Sequence, residues 1–208
     1  MPTSKWTKTR WLARDEGAVR LVLGIDPGTA VTGFGVVAVD GRTTSLVECG
    51  VIRTEARDPL PQRLAEVYEG VRDLIARHRP DTMAIEDVFY AKNVRTTVVL
   101  GHARGVILLA AQQASLTIHE YPPSEIKKAI TGRGGATKEQ VQFMVARLLK
   151  LKHAPQPADA ADGVAAALCA CLSAALPKMP PLKLPSLASL KLARAKTPPP
   201  SRKTESRT

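Results

Sequence analysis

The stretch Leu21–Gly28, LVLGIDPG, limits what this chain can fold into more than any other. An apolar run leads straight to one carboxylate, Asp26, and Pro27-Gly28 then imposes a turn. Short apolar runs bounded by turn signals read as buried strands. A carboxylate at the tip of such a strand loses hydration, and something must offset that loss. The candidates are a cation, a metal ion or a hydrogen-bonding turn. The rest of the chain must supply neighbours for the strand and a partner for Asp26.

Two further strand signals follow closely. Thr32–Val39 (TGFGVVAV) is rich in β-formers, and Thr44–Arg53 continues the pattern. Asp40-Gly41 between them is a strong hairpin turn, so three antiparallel strands come first. Over Pro61–Arg77 the residues Leu64, Val67, Tyr68, Val71, Leu74 and Ile75 share one helical face, and His78-Arg79-Pro80 ends that helix. Thr82–Glu86 (TMAIE) is a fourth strand and, like the first, ends on a carboxylate. Ala91–Ala114 is mostly helical, with Gly101, Ala103 and Gly105 permitting close helix contact. Leu116–Tyr121 is a fifth strand.

Pro122-Pro123-Ser124 then starts a helix reaching about Ile130, with Ser124 as its N-cap. Thr131–Ala136 (TGRGGA) is expected to be a mobile loop. Thr137 and Gln140 form a capping box, and Val141, Met144, Val145, Leu148 and Leu149 give the next helix its apolar face. Residues 152–157 form a loop with two prolines, and Ala158–Leu176 is a last helix carrying Asp159 and Asp162. This order predicts an α/β fold: a mixed five-stranded sheet, its first three strands antiparallel, flanked by helices.

A length of 208 residues suits one domain. Residues 21–176 form it, between a basic extension (1–20) and a basic, Pro-rich tail (177–208) read as disordered. The extension holds five Lys/Arg against two acids, and residues 176–208 hold eight against one. The total charge is +11, so residues 21–175 are nearly neutral and the ends carry the positive charge. Basic arms suit a polyanionic partner. Trp6 and Trp11 lie among basic residues in the extension, a combination that can stack on bases. Cys49, Cys169 and Cys171 form no C-x-x-C pair, which argues against a zinc site or a disulfide framework. The beginning of the chain lacks a secretory apolar region, and the apolar run Gly163–Leu176 is too short to span a bilayer. A soluble, cytoplasmic protein without membrane contact is expected.

Asp26 and Glu86 end strands one and four, which can be neighbours in an open sheet, and ligands favour carboxyl ends of strands. Asp159 and Asp162 are three apart on a helix and share a face. Asp87 should point away from Glu86. Four converging acids require cations, and oxygen-only donors select a hard divalent ion, Mg²⁺ or Mn²⁺. Two such ions about 3.5–4 Å apart suit phosphodiester hydrolysis. Each acid alone is weak: Asp-Pro-Gly is commonly just a turn, and acids early in a helix complement its dipole.

GIDPGTAVTGFGVV, AIEDVFYAKN, LGHARGV, EY before a helix, KEQVQFMVARLLKL and ADAADGVAAAL follow in order from about Leu21 to Ser173. Together they resemble the RuvC Holliday-junction resolvases; the resemblance covers neither arm. It implies an RNase H-like fold, a homodimer, and metal-dependent cleavage of two like-polarity strands of four-way junction DNA in recombination and repair. The family's catalytic, metal-holding acids fall on Asp26, Glu86, Asp159 and Asp162, and the resemblance implies two ions per subunit. Some members carry His where this chain has Asp159. Phe89 aligns with an aromatic wedge that enters the junction, with Tyr90 as the alternative. Lys127 and Lys138 match lysines near the scissile phosphate, and Lys92, Arg95, Arg104 and Arg133 extend the phosphate track. His102, His119 and His153 are scattered and read as structural. The tail suits DNA or docking to the RuvA-RuvB branch-migration complex.

Three other readings compete. An actin- or Hsp70-like ATPase needs a second nucleotide lobe, for which 208 residues leave no room. A non-cleaving junction-binding protein predicts a missing carboxylate, and none is missing. An RNA-processing nuclease of the same fold stays open.

Overall fold

In the computed structural model residues 19–87 and 94–173 are described. They form β1 (Arg20–Asp26), β2 (Val31–Asp40), β3 (Thr43–Arg53), α1 (Leu60–His78), β4 (Thr82–Glu86), α2 (Val94–Gln113), β5 (Thr117–Tyr121), α3 (Pro123–Thr131), α4 (Lys138–Leu148) and α5 (Ala158–Ser173). The readings on Trp6, Trp11, Phe89, Tyr90, Lys92 and the tail fall outside these residues.

The sheet order is β3-β2-β1-β4-β5. The β1–β2 and β2–β3 pairs are antiparallel, and the β1–β4 and β4–β5 pairs are parallel. The mixed sheet expected from the sequence is therefore present, with strands one and four adjacent. Ile25 lies opposite Ile85, so the ends of β1 and β4 are level. Asp81 ties their beginnings together: its carboxylate accepts from the Leu21 N–H at 2.9 Å, and its own N–H donates to the Leu21 carbonyl at 2.8 Å.

Alternation along the strands divides two cores. Leu23, Ile25, Phe34, Val36, Met83 and Ile85 pack with Val67, Val71 and Leu74 of α1 and Ile107 of α2. Val22, Val37, Val39 and Ala84 face the other way, onto α3, α4 and α5. Helix α5 lies almost against the sheet backbone because glycines line its landing face. A Cβ on Gly24 would stand 2.2 Å from the Gly163 carbonyl oxygen, and one on Gly33 would stand 1.9 Å from that of Asp159. Any side chain there would lift the helix away.

Most helix boundaries follow the sequence cues. Arg79 closes α1 in the left-handed region (φ 49), its N–H donating to the Ile75 carbonyl at 2.8 Å. The capping box of α4 is present: Gln140 N–H donates to Thr137 Oγ1, and Gln140 Oε1 accepts from the Thr137 N–H at 3.0 Å. The Ser124 cap requires correction. Helix α3 begins at Pro123, with Pro122 at the cap position and no capping side chain. Proline is favoured at a first helical position because its missing N–H would have no partner there, and this leaves Ser124 inside the first turn. The glycine-rich segment after α3 is anchored at its end by buried Ala136.

Candidate metal centre

The even-numbered residues of β1 face α5, so the alternation that buries Val22 and Gly24 also aims Asp26 at that helix. The same parity in β4 takes Ala84 and Glu86 to this face. The turn after Asp26 is clamped from within. Buried Thr32 donates its hydroxyl to the Gly28 carbonyl at 2.6 Å and accepts from the Gly28 N–H at 3.4 Å. A Cβ on Gly28 would fall 1.9 Å from the Val31 carbonyl oxygen, so this turn needs glycine.

Helix α5 brings Asp159 and Asp162 down onto the strand end. One carboxylate oxygen from each of Asp26, Asp159 and Asp162 lies within 4.8 Å of the others. Glu86 adds its field from the neighbouring strand. Burial pushes the Asp26 carboxyl up to about 8, helped by the negative charges of Glu86 and Asp162, opposed by Lys138, and raised further by Asp159. Burial also raises Glu86 to about 6, with Asp162 adding to it and Lys138 and Lys127 working against it. Burial raises Asp162 too, against the pull of its hydrogen bond from Lys138.

Lys138, at the start of α4, donates to Asp162 Oδ2 at 2.6 Å, and this bond raises the lysine's own pKa. Two ammonium groups, Lys138 and the more distant Lys127, face four acids. The donor set is oxygen-only and partly buried, and its charge is under-neutralised. It therefore fits a hard divalent cation. Such an ion would displace the proton that Asp26 otherwise retains near neutral pH.

The remaining site residues from the sequence reading lie at different removes. Lys127 on α3 acts on Glu86 and Asp162 through its charge. Arg133 lines an open cavity of about 440 Å³ with Thr131, Ala136, Glu139, Gln140, Phe143 and Met144. Arg104, expected on the phosphate track, has its guanidinium Nη2 bonded to Asp87 Oδ1 at 3.2 Å and to Glu120 Oε2. Asp87 follows Glu86 and so serves the opposite side of the strand, which explains this pairing with α2. The sequence carries no cue for it, because the contact depends on β5 lying beside β4. The spacing of Gly24, Gly33 and Gly35 is a further signal in the sequence: three glycines on one face of adjacent strands mark where α5 lands.

A mixed sheet of order β3-β2-β1-β4-β5 with acids at two adjacent strand ends and on a crossing helix defines an RNase H-like nuclease. The family model described as crossover junction endodeoxyribonuclease RuvC matches residues 22–170. This chain belongs to that family, whose members are nuclease hydrolases. A RuvC from Desulforamulus reducens is 47% identical over 149 residues, covering 72% of this chain and 91% of the relative. The Thermus thermophilus RuvC structure superposes with a TM-score of 0.72 at 35% identity, over 78% of this chain and 99% of that one. Thermus thermophilus RuvC in complex with Holliday junction substrate gives 0.71 at 36%, over 74% and 94%.

Proposed function

We propose that this chain resolves four-way DNA junctions in recombination and repair by hydrolysing one phosphodiester bond in each of two strands of like polarity. The observation that carries the reading is the gathering of Asp26, Asp159 and Asp162 within 4.8 Å at a strand end beside Glu86, in a chain of this family. These four acids would hold two Mg²⁺ or Mn²⁺ ions per subunit. When bound, the ions supply Lewis-acid polarisation of the scissile phosphate and acidify water. Asp26 stands where the other acids converge and would be central among the residues that hold the ions. Lys138 and Lys127 place positive charge beside the acids, where it stabilises charge developing on the phosphate. Phe89 or Tyr90 is the proposed junction wedge, Arg133 and Lys92 the outer phosphate contacts.

Paired cuts in one junction require two sites, and α2 suggests how two copies meet. Val94, Val98 and Leu109 are 79%, 52% and 48% exposed along one side of the helix. Gly101 and Gly105 fall in the same stripe, with nothing near a would-be Cβ. Such a seam admits a second helix at close range. Helix α2 is long and apolar enough to cross a membrane by length and composition. Its Arg104 pairs and its packing on α1 fit a helix at a protein interface better. The basic arms would add DNA affinity or dock on the RuvA-RuvB branch-migration complex, in the cytoplasm.

A cleavage panel tests the reading. The purified chain with Mg²⁺ or Mn²⁺ should nick a synthetic four-way junction symmetrically and leave duplex, flap and RNA hairpin largely intact, while Asp26→Asn should bind the junction without cutting it. Preferred cutting of the RNA hairpin would favour an RNA-processing role, and cutting by Asp26→Asn would remove the metal assignment.

A further inference from the structure

We infer that Arg63 is a further phosphate-binding side chain, gripping a backbone phosphate of the junction other than the scissile one, with Thr54 fixing its direction. The inference rests on the proposed junction substrate.

Arg63 lies near the start of α1 and is half-buried. Its Nε donates to Thr54 Oγ1 at 3.1 Å. That hydroxyl in turn donates to the Thr29 carbonyl, and the Thr54 N–H donates to the Ala30 carbonyl at 3.1 Å. Thr29 and Ala30 belong to the turn that leaves Asp26. Two hydrogen bonds therefore connect the guanidinium to the segment carrying the metal-site acid. The sheet register agrees: Asp26 pairs with Gly33 and Val31 with Arg53, so the end of β3 lies at the site end of the sheet.

The nearby acids have other partners. Asp58 and Glu66 accept from Gln62 at 3.1 and 3.3 Å, and Glu55 lies 4.0 Å from Arg57. The first turn of α1 contains no acid. Among the described residues Arg63 has no ion pair, and its bond to Thr54 uses Nε alone. Arg104 shows the contrast, with Asp87 and Glu120 both paired to its Nη2. An arginine held through Nε keeps both terminal amino groups for a bidentate grip, and phosphate oxygens match that fork.

The test measures junction affinity of the full chain in EDTA, by fluorescence anisotropy, from about 50 to 200 mM salt. One lost phosphate contact lowers the slope of log affinity against log salt by about 0.9. Over that range the wild type should therefore lose about 3.5-fold more affinity than Arg63→Ala. Arg63→Lys should keep the slope while binding more weakly, because it keeps the charge and loses the fork. Thr54→Val should likewise bind more weakly with the slope kept. An unchanged slope in Arg63→Ala overturns the inference, and so does an equal drop in slope for Arg63→Lys, which would signal fold damage. If the wild type neither binds nor cuts the junction, the functional reading falls and takes this one with it. If it does both and the slopes coincide, only the role of Arg63 falls.

Discussion

Asp26→Asn removes a titrating charge from the centre while keeping its size, so it isolates the energetic cost of the acid cluster. The Asp26 carboxyl titrates near 8 in the metal-free fold, against 3.8 for an exposed aspartate. Between those values the folded chain binds a proton that the unfolded chain does not. Stability therefore declines as pH rises through that window, and the loss is complete above about pH 8. At about 1.4 kcal/mol per tenfold change in ionisation, the ceiling is on the order of 5 kcal/mol. Solvent screening at this incompletely buried carboxyl takes away part of it, leaving about 3 kcal/mol. Asparagine has no such titration. In EDTA near pH 8 the variant should melt about 6–12 °C above the wild type, and near pH 5 the gap should shrink to about a third. Adding Mg²⁺ should narrow the gap by raising the wild type alone, and junction cleavage by the variant should fall to background. Differential scanning calorimetry across this pH range is the assay. An advantage that fails to grow with pH, or a less stable variant near pH 8, would refute the electrostatic account.

Further outcomes follow from the same geometry. Gly33→Ala puts a Cβ 1.9 Å from the Asp159 carbonyl oxygen; it should cost about 3 kcal/mol or more in urea unfolding and take cleavage with it, and a cost below about 1 kcal/mol would contradict the close approach of α5. Lys138→Met should lower single-turnover cleavage about 10²-fold with junction affinity nearly kept; an equal loss in both would make the lysine a binding residue only. Val98→Asp sets a charge in the exposed seam of α2 and should give folded monomers by light scattering, whereas an unchanged mass would move the proposed dimer contact elsewhere.

How far the sequence discloses this architecture depends on how local each determinant is. The hairpin at Asp40-Gly41, the amphipathic stripe of α1 and the Thr137–Gln140 box are set by residues a few positions apart, and all appear within a residue or two of the expected places. The acids on β1 and β4 are legible because both strands end on a carboxylate and strand alternation is strict. What stays hidden depends on contacts between distant segments. Nothing near Arg104 announces Asp87 and Glu120, and nothing near Asp162 announces Lys138. Ser124 fails for a different reason: two local rules compete at the start of α3, and the proline preference for a first helical position outweighs the serine preference for a cap.

The glycine-lined face and the acid cluster are best understood as one device. Parity along β1 puts Gly24 and Asp26 on the same side, so the bare backbone that lets α5 approach sits immediately before the acid. Gly33 plays the same part opposite Asp26 on β2, beneath Asp159 itself. Lifting α5 by the width of a methyl group would separate Asp159 and Asp162 from Asp26 and, once Asp26 ionises above about pH 8, ease their repulsion, so the charges then favour moving the helix off. Packing opposes it: Val164, Ala165, Ala166, Ala167 and Leu168 are all buried against the sheet and the neighbouring helices. Apolar burial along the helix thus offsets like-charge repulsion at its first turns. The rigid frame keeps the acids close enough to concentrate negative charge where a divalent ion can relieve it.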